Sequence, residues 1–295
     1  MVLHHHLRFW LGYLLGKYPL KPVDPDPFEV LRIQYYCKEG LDRNLEPSPV
    51  PINSISLKHK TGYAYDWYRI FNKSDKRLCH VEFGDVQHLT PKATFCKSRP
   101  IQENNQNNVL LPLNTARHFN FKKDPYPFAK KRSNGIWRGS AYKDKRLRFL
   151  KSVSDIEFVD AADTSRHSNL NYFGKSRNHL SVREQMRSQF IFSIEGNDVA
   201  TNLKWIMASN SVPVMAIPEF ETWFCEGKLV PGQHFIEILP DFSNIGDVLE
   251  YHLERPKLSA EIAEESKLFS AQFKNFTRQF GLARHVVERY FQLIR

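Results

Sequence analysis

The sequence predicts an α/β fold, and three observations carry the prediction. After Gly135, strand-like apolar runs alternate with helical ones, the arrangement of βα units around a parallel sheet. Residues 156–159, 190–194, 212–217 and 234–239 are the expected strands. Between them Val199, Leu203, Ile206 and Met207 are spaced to give one buried helical face. The tail, 258–295, reads as two consecutive helices interrupted near Gly281.

The earlier part of the chain is different. Pro22, Pro25 and Pro27 are expected to break any helix and form a stiff connector, as is PSPVP at 47–51. Short strands are expected at 78–83 and 93–96. The proline-rich basic stretch KKDPYPFAKKR (122–132) marks the boundary, which gives an N-terminal domain over 1–125 and a C-terminal one over 126–295.

Composition narrows the classes. In 295 residues, 41% apolar and 13% aromatic side chains suffice for real cores and exclude global disorder. The formal charge of +10 points to an anionic partner. Cys37, Cys79, Cys96 and Cys225 form no CxxC pair, so free thiols in a reducing compartment are expected, and neither a disulfide framework nor a structural zinc site. The most apolar run, FWLGYLL (9–15), falls short of the roughly 20 residues a spanning helix needs, and no small-residue cleavage site follows it. The expectation is a cytoplasmic protein, with that run docked on the protein body or lying at the inner face of the cytoplasmic membrane. His4–His6 are assigned no role.

Two segments carry the chemistry. In SIEGNDVATNLKW (193–205) a buried strand meets Gly196 and then an expected amphipathic helix. The unbonded amides of a first helical turn bind phosphate oxygens, and glycine permits close approach, whereas Asn197 or Asp198 acting only as a helix cap is the structural alternative. Lys204 is placed to lean back toward that turn. In WRGSAYKDKRLR (137–148), Arg138, Ser140, Arg146 and Arg148 would suit a diphosphate, the alternative being a solvated basic helix face. Two such turns on one sheet converge on the crevice at its carboxyl edge. Neither GxGxxG nor GxxxxGK[ST] is present, and the prolines around Asp24 and Asp26 make that DxD a turn, so no metal and no cofactor is expected.

The segments FGDV (83–86), KSRP (97–100), LNTARHF (113–119), WRGS (137–140), EGNDVATNLKW (195–205) and ETWFCEGKLVPGQHFIEILPDFSN (221–244) resemble glycosyltransferase family 90, over roughly 75–290. The family includes bacterial lipopolysaccharide and capsule glycosyltransferases and eukaryotic protein O-glucosyltransferases. The resemblance implies a GT-B-like α/β fold, two Rossmann-like domains facing a cleft, with C-terminal helices and a UDP-sugar donor held without metal. It implies donor-binding roles for Ser140 and Arg146, for Asp160 and Ala161 beside the uracil, and for Asn197, Asp198, Val199, Ala200, Thr201 and Asn202. Where the O-glucosyltransferases close that last stretch with arginine, this chain has Asn202, which leaves open whether Lys204 supplies the charge.

A second departure concerns the base. The family's catalytic aspartate is missing from KSRP, and an inverting transfer needs a group that takes the acceptor proton as the bond forms. Asp85 is the first candidate and His118 the second. The function implied is an inverting transfer from a UDP-sugar to a hydroxyl of a bacterial surface glycan, lipopolysaccharide core or capsule, with an anionic membrane face as a further partner. The alternatives are a basic nucleic-acid-binding protein, against which stands the lack of a recognition motif, and an inactive glycan-binding family member.

Overall fold

The computed structural model describes residues 18–56, 61–165 and 179–295. The 9–15 run and His4–His6 lie outside them. The chain forms two units, Met1–Phe119 with Phe220–Trp223 and Asn275–Arg295, and Asn120–Glu219 with Phe224–Lys274.

In unit 1 the proline-rich connector ends sooner than expected. Pro27 opens a helix, Pro27–Tyr36, because the first helical position needs no N–H donor and suits proline's fixed φ. Asp26 caps it, accepting from the Glu29 amide at 2.9 Å while Glu29 accepts from the Asp26 amide at 3.0 Å. The second half of the DxD is therefore a helix cap. Strand β1 (Val50–Pro51) lies antiparallel to β2 (Leu78–Glu82), and β2 is parallel to β3 (Thr94–Cys96). After β4 (Ser98–Pro100), β5 (Asn108–Leu110) adds in parallel to β3. Trp67, Phe95 and Tyr290 form the aromatic core, with Phe95 4.2 Å from the Tyr290 ring and 5.9 Å from Trp67.

Unit 2 is a doubly wound sheet. Its strands are β6 (Arg132–Gly139), β7 (Val159–Asp163), β8 (Ser188–Phe192) and β9 (Val212–Met215). The chain then supplies unit 1 with β10 (Phe220–Thr222), antiparallel to β4, before β11 (Ile236–Glu237) completes the second sheet. All five strands run parallel in the order β11-β9-β8-β6-β7. From β6 the chain goes to β7 on one side and then crosses to β8 on the other. The switch point lies between β6 and β8, where such sheets open a crevice at their carboxyl ends.

Several expected boundaries move, for one reason. Apolar residues mark what packs against the sheet, and that set extends past the ladder. Ile156 and Phe158 pack against the core before β7 begins, and Ile194 is buried after β8 has ended, so the runs at 156–159 and 190–194 become Val159–Asp163 and Ser188–Phe192. The run at 234–239 contributes only Ile236–Glu237. The helix expected directly after Gly196 is only Leu203–Met207, and 196–202 consists of bends and turns. The two terminal helices are Pro256–Ala271 and Phe276–Leu293. Gly281 sits inside the second of them, where a Cβ would come within 2.6 Å of Val23 Cγ1, so the glycine permits close packing and ends nothing. Among the described residues no helix is long and apolar enough to cross a membrane.

Candidate active site

Both bends singled out in the sequence follow the strands that flank the switch point. After β6, Gly139 lets the chain pass the Trp137 ring, since a Cβ there would lie 2.5 Å from Cζ2. Asp163, at the end of β7, fastens the Ser140 bend. Its Oδ1 accepts from the Ala141 amide at 3.0 Å, and the Thr164 amide donates to Gly139 O at 2.8 Å. After β8, Asn202 Nδ2 donates to Phe192 O at 2.9 Å, and the Gly196 amide to Asp198 O at 3.1 Å. These bonds fold 196–202 back over the strand end.

Arg146 joins the two bends. It projects from the helix Asp144–Ser152, donating through Nη1 to Ser140 O at 3.0 Å and through Nη2 and Nε to Ile194 O at 2.9 and 3.1 Å. A Cβ on Gly196 would lie 3.2 Å from Nη2, so this glycine makes room for a guanidinium of the protein itself. Bonds to carbonyl oxygens orient the cation but add no formal negative charge. Arg148 from the same helix pairs with exposed Asp144 at 2.9 Å, a solvated helix-face pair.

Beside the Gly196 bend is a hollow of about 370 Å³, its open mouth included, lined among others by Lys145, Ser193, Glu195, Val199, Ala200 and Glu226. Lys145 Nζ lies 3.0 Å from Glu195 and 2.8 Å from Glu219. Burial would lower its pKa, but the two carboxylates outweigh that and raise it. Of the loop residues, Asp198, Val199 and Ala200 are buried, whereas Asn197, Thr201 and Asn202 are half-buried. Asp160 and Arg138 pair with each other, Oδ2 to Nη2 at 2.8 Å, and Ala161 is buried in β7.

Lys204 pairs with Glu226, one of the residues that line this hollow. Its Nζ is 2.8 Å from Glu226 Oε1, with side chains 0% and 1% exposed, and 5.1 Å from the Phe224 ring centre.

The two candidate bases belong to unit 1. Asp85 Oδ1 lies 2.6 Å from Lys97 Nζ, the lysine 1% exposed and the aspartate 26%. His118 ends the short helix Thr115–His118 and is buried. Arg99, two residues on from Lys97, is tied to Glu221 at 2.8 Å with both side chains buried. Sequence reasoning missed Lys97, Asp163 and Glu226. The signal for Lys97 is in KSRP, a lysine at a strand end close in sequence to Asp85. All four cysteines are buried free thiols, and burial pushes Cys37, Cys79 and Cys96 up to about 12. Among the described residues no cluster of His, Cys, Asp and Glu has the arrangement of a metal site.

Residues 113–295 match the family model described as glycosyl transferase family 90. The chain is also 37% identical over 214 residues to the O-glucosyltransferase LpsA of Dichelobacter nodosus, an alignment spanning 72% of this chain and 67% of that protein. Both bends and the arginine between them fall inside the matched region, and the chain belongs to glycosyltransferase family 90, whose chemistry is glycosyl transfer.

Proposed function

We propose that the protein is an inverting, metal-independent, GT-B-type transferase that moves a hexose or pentose from a UDP-sugar to a hydroxyl of a bacterial surface glycan, lipopolysaccharide core or capsule. Glucose is the first donor to try, in view of the O-glucosyltransferase relative. The observation that carries the reading is Arg146, held between the Ser140 and Gly196 bends at the switch point of a parallel sheet. As the glycosidic bond breaks, the departing UDP gains negative charge, and a guanidinium already oriented by carbonyls stabilises it with little reorganisation. Asp85, held by Lys97, takes the acceptor proton as the new bond forms. The enzyme works peripherally on the inner face of the cytoplasmic membrane.

A thermal-shift panel of UDP, GDP, CDP and their sugars, run with and without EDTA, tests the donor. Saturation at about 100 times Kd adds about 2.7 kcal/mol, a readily measured rise in midpoint. UDP species are expected to stabilise equally with and without chelator. Stabilisation by another nucleotide alone, or its loss with EDTA, would overturn the donor assignment.

A further inference from the structure

A second hollow opens in unit 2 at the opposite ends of the two strands that carry the donor bends. Residues 122–125 lead toward β6 and residues 181–186 toward β8, and Lys122, Lys123, Pro125, Val182, Arg183 and Met186 line it. Its volume is about 1060 Å³ with its mouth, against about 370 Å³ at the donor bends. The eight residues of β6, at about 3.3 Å each, separate the two sites by roughly 25 Å. The second hollow can therefore be occupied while a donor is bound.

The rim is basic and the floor apolar. Lys122, Lys123, Arg183 and Arg187 are exposed. Arg187 Nε donates to the Tyr126 hydroxyl at 3.3 Å, and together with Arg183 it holds that phenol below its usual pKa, which brings both guanidiniums to one place. Two carboxylates lie close by and both are engaged. Glu184 accepts from the Ser181 amide at 2.7 Å, and Asp124 is paired with Lys131 at 2.6 Å, away from solvent. Among the apolar lining residues Pro125 is exposed and Val182 half-buried, while Met186 is buried in the core beneath them.

We propose that this hollow docks unit 2 on an anionic phospholipid surface, the basic rim contacting headgroup phosphates and Pro125 with the accessible parts of Val182 and Tyr126 contacting the acyl boundary. A soluble polyanion has use for the rim alone, whereas a phospholipid surface presents negative charge and apolar matter within a few ångströms of each other. A tyrosine at the rim, with an apolar ring and a polar tip, suits that boundary. The inference deepens the peripheral placement proposed above and does not depend on the transfer reaction.

The test is co-sedimentation of the full chain with vesicles of phosphatidylcholine, with and without about 30% phosphatidylglycerol, at physiological salt. Each basic side chain near such a surface is worth about 1 kcal/mol, so Lys122→Glu/Lys123→Glu/Arg183→Glu should partition on the order of a hundredfold more weakly. Lys122→Gln/Lys123→Gln, which alters only two exposed loop positions, should lose on the order of tenfold with an unchanged thermal midpoint. Equal sedimentation of wild type and the Gln pair would overturn the proposal. So would equal binding to neutral vesicles, or release from anionic vesicles by millimolar glycerol phosphate or by a DNA oligonucleotide, which would mark a general anion site. Vesicle binding is read without substrate, so its failure would leave the transferase reading intact, and failure of the nucleotide panel would leave this one.

Discussion

Arg99 in unit 1 and Arg146 in unit 2 are used in opposite ways. The Arg99 guanidinium donates through Nε to Glu221 at 2.8 Å, through Nη2 to Tyr35 O at 2.8 Å and through Nη1 to Asn108 O at 3.1 Å, and its side chain is 0% exposed. Its charge is matched by a carboxylate that is equally buried, which ties β4 to β10. Arg146 donates to the carbonyls of Ser140 and Ile194, which holds it between the two bends. The lesson is that a motif arginine must be judged by its partner. The Glu221 carboxylate makes Arg99 a strut between two strands, while the carbonyls of Ser140 and Ile194 set Arg146 at the two bends.

The largest expected effects come from breaking the struts. Arg99→Met leaves Glu221 buried without its partner, which should cost about 3–5 kcal/mol of stability in urea unfolding. Lys204→Met should cost a similar amount by stranding Glu226, and Lys204→Met/Glu226→Leu should recover most of it, because two well-packed apolar side chains replace a buried pair at little net cost. If Lys204→Met were as stable as wild type, Lys204 would have to be reconsidered as a donor ligand. Next in size is Arg146→Ala. Its turnover should fall on the order of a hundredfold, with a smaller change in unfolding midpoint than Arg99→Met shows. Arg146→Lys should fail to restore the rate, because one ammonium cannot reach the carbonyls of both bends in the way a planar fork does. Wild-type turnover in Arg146→Ala would end the comparison.

These contrasts show what was legible in the sequence. Ser140 and Gly196 were legible from strand ends followed by small residues, a local event that composition reveals, and Arg146 reaches both bends. The ladder connecting them was not legible. The bends follow β6 and β8, which are adjacent in the sheet although β7 lies between them in sequence, so their meeting depends on strand order. The partner of Lys204 was not legible for the same reason. The place of Lys204 at the start of a helix is local, but Glu226 comes from a turn 22 residues on, and only the fold brings the two together. Pro27 was misjudged as a breaker because a proline at a first helical position and one in a connector look alike until the cap on Asp26 is seen.

Gly196→Ala sharpens the account of Arg146 without removing it. The new methyl would sit 3.2 Å from Nη2 and 3.3 Å from Cζ, tighter than ordinary contact, so the guanidinium must give by a few tenths of an ångström. Since a full 1 Å misplacement costs about a hundredfold, a loss of several-fold in kcat/KM is expected, with stability within about 1 kcal/mol of wild type. An unchanged kcat/KM would mean that the arginine tolerates displacement and that its orientation is not what matters.

The smallest effect concerns a third arginine, Arg278, which is 37% exposed and holds Glu29 beside the start of the helix Pro27–Tyr36. Burial would raise the Glu29 pKa, but the Arg278 hydrogen bond and the Asp26 amide more than offset it, so the folded value lies below that of a free glutamate, about 4.3. A carboxylate depressed on folding contributes stability above its unfolded pKa and loses it as pH falls through the folded one. Glu29→Gln should therefore cost about 1 kcal/mol at pH 7, since the partner is solvent-screened and the glutamine oxygen can still accept from the Asp26 amide. The gap between the two proteins in urea midpoint should hold down to about pH 4.5 and narrow below it. A gap constant to pH 3 would show that Glu29 acts as a neutral cap alone, and the exposed arginine would then not act as a strut.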